Sequence, residues 1–196
     1  MKALAAALLC LTLTSCATMV DTADAFAHLG VVSEEVSTFD GATIVAVSPT
    51  WLYNAETDTY NVYRLGGSWN SSQPDYVSLV IRFEAFGQYT VFEGVKLRIG
   101  DTVVESRAGR THPESSYSAA TSSIDTTSTA HAGITLDTLD RLLAAPDARI
   151  RIMSSSGYED STFAIDRTPH GQRTARAALK EFRAAVAAKR AELPSE

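Results

Sequence analysis

Apolar and polar positions alternate with a period of two through most of residues 31–166. They recur at three- and four-residue steps in two later places, near 135–145 and after 167. Residues 31–39 alternate, Asp40-Gly41 follows, and 42–47 are rich in β-branched residues, which together predict a hairpin. Residues 76–86 (YVSLVIRFEAF) give the clearest strand: Val77, Leu79, Ile81, Phe83 and Ala85 share one face, with Arg82 and Glu84 on the other. Shorter strands are expected at 89–92, 95–99 and 102–106, with Gly100-Asp101 as the turn between the last two. The run 107–116 (RAGRTHPESS) reads as an exposed loop, and 125–132, 149–154 and 161–166 as further strands.

The helical stretches carry their own punctuation. Thr135 can cap a short helix with Asp137 in its first turn; Leu136, Leu139, Leu142 and Leu143 repeat at helical steps, and Pro146 stops it. Thr168 and Pro169 suit the start of a second helix, whose buried stripe is Ala175, Ala178, Leu179, Phe182, Ala185 and Val186. The fold expected is α+β and mainly β. It is an antiparallel β-sandwich or curved sheet over 31–166, with a short helix near 135–145 and a C-terminal helix over 167–193 packed on it. No internal repeat is present.

The first sixteen residues, MKALAAALLCLTLTSC, follow a different rule. Lys2 precedes an apolar run from Ala3 to Leu13 that is too short for a bilayer, which needs about 20 residues. Small residues then lead to a cysteine. Leu13-Thr14-Ser15-Cys16 resembles the lipobox of a bacterial lipoprotein precursor. The resemblance covers only this segment. It implies removal of residues 1–15, acylation of Cys16, and a lipidated tether over 16–30 with room for a short helix. Ala17 after the cysteine, rather than aspartate, implies an outer-membrane address facing the periplasm. Two or three acyl chains anchor firmly where one binds reversibly.

This reading changes what the composition means. The chain has two cysteines; Cys10 leaves with the signal and Cys16 carries lipid, so no disulfide is expected and packing alone must hold the domain. About 180 residues remain, enough for one core. Loss of Lys2 takes the net charge from −6 to −7, which argues against a nucleic-acid partner.

Candidate chemistry is sparse. Trp51, Tyr53, Tyr60, Tyr63 and Trp69 form an aromatic cluster suited to gripping a protein or stacking on a glycan, or else to filling a core. On the last helix, Arg173, Arg176, Lys180, Arg183 and Arg190 line one edge, with Glu181 and Glu192 on the other. The edge suits an anionic surface, or serves as a solvated face whose stems cover apolar area. His28, His112, His131 and His170 show no metal-ligand spacing, and His112 lies near serines without a nucleophile elbow. Asn54 to Asp58 offer oxygens at alternate positions but lack the glycine and distant glutamate of a calcium loop, and read as a turn. No phosphate-loop or dinucleotide fingerprint and no cofactor signature occurs. The expectation is a lipid-anchored envelope lipoprotein acting as a non-catalytic binding or assembly module, with an envelope protein or glycan as partner. The other reading is a periplasmic hydrolase.

Overall fold

The computed structural model describes residues 28–119 and 122–193, so the signal, Cys16 and nearly all of the tether lie outside the described residues. Among the described residues there are ten strands and two helices. They are β1 (Val32–Val36), β2 (Thr43–Asn54), β3 (Thr59–Asn70), β4 (Tyr76–Phe86), β5 (Phe92–Ile99), β6 (Thr102–Arg107), β7 (His112–Ser118) and β8 (Ser123–Thr135), then α1 (Leu136–Ala144), β9 (Arg149–Ser154), β10 (Gly157–Thr162) and α2 (Ala175–Ala191). The larger sheet, sheet A, has the order β1-β2-β3-β4-β8-β7 and curls into a half-barrel; sheet B has the order β10-β9-β5-β6. Every pairing is antiparallel. The expected mainly-β architecture with a C-terminal helix packed on the sheet is what the chain adopts.

The chain enters sheet B first between β4 and β7, and again with β9 and β10 after α1. It returns from the first excursion where Ala108 bridges Ala132 and Ser106 Oγ donates to the Gly133 carbonyl at 2.7 Å. That junction fixes how the two sheets face each other. One hydrophobic cluster fills the space: Leu65, Leu79 and Ile81 of sheet A, Val95, Leu97, Ile150 and Ile152 of sheet B, Leu139 and Leu142 of α1, and Leu179, Phe182 and Val186 of α2. Each such side chain removed from water contributes about 1.5–3 kcal/mol.

Strand β2 departs from simple alternation. Its register against β3 shifts between Val47 and Thr50 and again between Trp51 and Tyr53. Leu52 and Tyr53 beside the second shift are both buried, Leu52 in the hydrophobic core and Tyr53 against its cross-strand partner Tyr60 on the other face.

Four boundaries differ from the sequence reading. Residues 107–116 are not all loop, because β7 begins at His112 and pairs along β8 as the edge of sheet A. Strand β10 spans Gly157–Thr162 rather than 161–166, and β5 starts at Phe92, leaving 89–91 outside any strand. The last helix starts at Ala175, not at Pro169. Thr168 is buried and accepts a hydrogen bond from Gln172 N at 3.3 Å, Gly171 takes φ 86°, and Arg167 bridges Arg173, so 167–173 form a tight turn. Proline followed shortly by glycine favours a turn as readily as a helix start, and tertiary contacts decide. By contrast Thr135 caps α1 as expected, accepting from Thr138 N at 3.1 Å.

Candidate functional site

The aromatic cluster divides between the interior and a corner of the surface. Odd-numbered β3 residues face the core, so Tyr63 and Trp69 are buried. The Tyr63 ring packs against Phe83 and Phe92 at centroid distances of 5.8 and 5.5 Å, and its hydroxyl meets Ser154 Oγ at 2.9 Å. Trp69 Nε1 donates to the Pro74 carbonyl at 3.0 Å. Both are core residues with satisfied polar atoms and offer no contact surface.

Trp51, Tyr53 and Tyr60 stay together at the β2–β3 hairpin. Trp51 meets the edge of Tyr60 at 5.7 Å, and Tyr53 lies 5.5 Å from Tyr60 as its cross-strand partner. The Arg64 guanidinium, opposite Trp51 in the ladder, sits 4.4 Å over the indole and is held there by Glu84 at 2.7 Å. Trp51 and Tyr60 are half-buried, while Tyr53 is buried behind them.

The polar rim of this corner comes from residues to which the sequence gave other roles: Asp58 of a turn, Thr168 of a helix start, and His170. Tyr60 Oη and Thr168 Oγ1 are 3.0 Å apart, which ties the hairpin to the 167–173 turn. The Tyr53 hydroxyl donates to the Asp58 carboxylate, and His170 Nε2 stands 3.6 Å from Asp58 Oδ1. That hydrogen bond to Asp58, followed by burial, pushes the Tyr53 phenol up to about 12. Asp58 occupies φ 53° in the turn that begins at Asn54, whose Oδ1 accepts from Glu56 N at 2.9 Å, so the Asn54–Asp58 segment is a turn, as read. Only the spatial pairing of 58 with 53 and of 168 with 60 reveals this rim. The sole local signal was an aspartate at a turn.

The basic edge of α2 is occupied. Arg176 and Lys180 converge on Asp166 at 2.8 and 2.7 Å, Arg183 clamps Asp140 of α1 through two hydrogen bonds of 2.6 and 2.9 Å, and Arg173 pairs with Glu181 at 2.7 Å. Arg190 reaches Asp75 at 2.9 Å. Glu181 is thus a partner of this edge and not a residue of the opposite face. Each of these five cations thus has an acidic partner within the domain.

The histidines are separate from one another. His112 is exposed on β7, and no side-chain partner is found for it among the described residues. His131 Nδ1 lies 3.1 Å from Ser78 Oγ across the β4–β8 ladder, on the exposed face of sheet A. Among the described residues no group of three or more metal-ligating side chains gathers. No helix among them is long and apolar enough to cross a membrane. No protein-family model matches the chain, and comparison with curated proteins and with solved structures gives no match.

Proposed function

We propose that this chain is a lipid-anchored envelope lipoprotein whose β-domain serves as a binding or assembly module, displayed on the periplasmic side of the outer membrane. The observation that carries binding is the Trp51–Tyr60 corner. Two half-exposed rings are pinned from behind by Tyr53 and from the side by Arg64, with Asp58, Thr168 and His170 as a polar rim. Rigid amphipathic rings lose little entropy on contact, and such residues dominate interface energetics. The lipobox at 13–16 supports the address. Residues 17–31 allow a reach of at most about 50 Å from Cys16 to β1, which keeps the domain near the membrane surface. The partner class is an envelope protein or a glycan.

Cross-linking in intact cells, followed by mass spectrometry, tests this reading. Capture of a specific protein or glycan by the wild type, and its loss in a Trp51→Ala/Tyr60→Ala variant, supports it. Capture that is identical in the variant contradicts the assignment to this corner. One observation favours hydrolysis instead: the Ser78–His131 pair. A serine nucleophile also needs a group to orient its base and donors for an oxyanion. Labelling by a fluorophosphonate that disappears in Ser78→Ala would establish that reading, and no labelling removes it.

A further inference from the structure

The outer face of sheet B carries four cations in a block. Val95 and Leu97 of β5 and Ile150 and Ile152 of β9 turn into the core, which sends Lys96, Arg98, Arg149 and Arg151 outward. The register sets Lys96 opposite Arg151 and Arg98 opposite Arg149. Like charges directly opposite each other weaken a sheet, so stability alone does not account for two such pairs in an acidic chain.

The flanking strands treat the two rows differently. The first row reads Asp160, Arg151, Lys96, Glu105 across β10, β9, β5 and β6. It is balanced: Arg151 holds Asp160 through two hydrogen bonds of 2.6 and 2.7 Å, and Lys96 Nζ is 2.5 Å from Glu105. The second row reads Thr162, Arg149, Arg98, Val103, with no acid at either end of the row. Arg149 takes Glu56 from the β2–β3 turn, with Asp160 of β10 and then Asp147 adding weaker attractions. Arg98 is exposed, and its Nε donates to the Gly100 carbonyl at 3.2 Å. All four cations, with Val103 and Asp160, line a depression of about 270 Å³.

We propose that this second row is a binding site for a phosphate-monoester group, with Arg98 as its principal ligand and Arg149 and Lys96 beside it. Planar guanidinium groups match phosphate oxygens in pairs, and a bound anion relieves the repulsion built into the row. The depression has the size of a headgroup. Exposed Val103 offers an apolar wall for the ester's carbon side. Both a soluble phosphate ester and a lipid headgroup carry this chemistry. The inference is independent of the aromatic corner and of the anchor.

Calorimetric titration of the full-length protein in neutral detergent at low salt tests it. The probes are sn-glycerol 3-phosphate and phosphatidylcholine nanodiscs with and without phosphatidic acid. Saturable one-site binding is expected, weakened at least about tenfold in Arg98→Gln, unchanged in the charge-matched control Arg141→Gln, and tightened in Glu56→Gln, which frees Arg149. Binding of the soluble probe identifies a free ester as the source, and binding of the phosphatidic acid disc alone identifies a headgroup; either upholds the site. No saturable binding to either probe overturns it, as does equal binding by Arg98→Gln. The melting temperature is a second readout. Ligand-free Arg98→Gln should melt at or above the wild type because one of four like charges is gone. A fall of several degrees would make Arg98 structural and overturn the proposal.

Discussion

Gly67 lies directly beneath Leu179: a Cβ added to it would stand 3.0 Å from Leu179 Cδ2, and 3.3 Å from Phe182 Cε1. The absence of a side chain at this one position of β3 lets helix α2 settle onto sheet A. Its neighbour Gly66 faces the other way, where a Cβ would overlap the Val47 carbonyl oxygen and lie 2.8 Å from Pro49 N at the first irregularity of β2.

The two glycines should therefore respond differently to alanine. Side-chain ends can shift by a few tenths of an ångström, whereas the backbone of a paired strand cannot. Gly67→Ala should cost about 1 kcal/mol and Gly66→Ala about 3 kcal/mol or more, the low and high ends of overpacking. Urea unfolding of both variants checks this. Equal losses would mean that the β2 irregularity yields as easily as the tip of Leu179.

Asp166 makes the helix attachment depend on pH. Burial pushes its carboxyl up, but the Lys180 hydrogen bond and the Arg176 charge outweigh this and hold it below the usual carboxylate value. A carboxylate lowered in the folded state stabilises above its unfolded value near 4 and loses that contribution as pH falls through the folded value. Asp166→Asn should destabilise by up to about 1 kcal/mol at pH 7, and the gap to wild type should close below about pH 4. Denaturation midpoints at the two pH values measure the closure; a gap that persists in acid would assign the effect to packing.

Tyr53 provides a spectroscopic handle on the aromatic corner. Its folded value of about 12 lies above the ordinary 10 of a phenol, so the contribution is complete below pH 10 and is lost as pH rises through 12. Replacing Asp58 with asparagine, a residue that tolerates the positive φ there, removes the charged acceptor. Ultraviolet titration should then show one tyrosine moving down toward 10. An unchanged curve would show that burial and not Asp58 sets the value.

Local chemistry made some of this legible in the sequence and left the rest hidden. The strand at 76–86 and the Thr135 cap were readable because alternation and capping act within a few residues. Strand β7 was not, since its residues from His112 to Tyr117 are exposed and carry no apolar alternation. The α2 start was misplaced because Thr168 spends its hydroxyl on Tyr60, over a hundred residues away. The basic edge was visible, but its acids, Asp140 and Asp166, belong to other elements. The triplets Lys96-Leu97-Arg98 and Arg149-Ile150-Arg151 were equally plain, yet only strand register sets one against the other.

The anchor remains the claim on which the placement of this domain depends. Intact-mass and peptide mass spectrometry of the protein purified from its own membranes tests it directly. The account predicts an N-terminal peptide that begins at Cys16 and carries the mass of a diacylglycerol with an amide-linked acyl chain. A peptide beginning elsewhere, or Cys16 with an unmodified thiol, would contradict it.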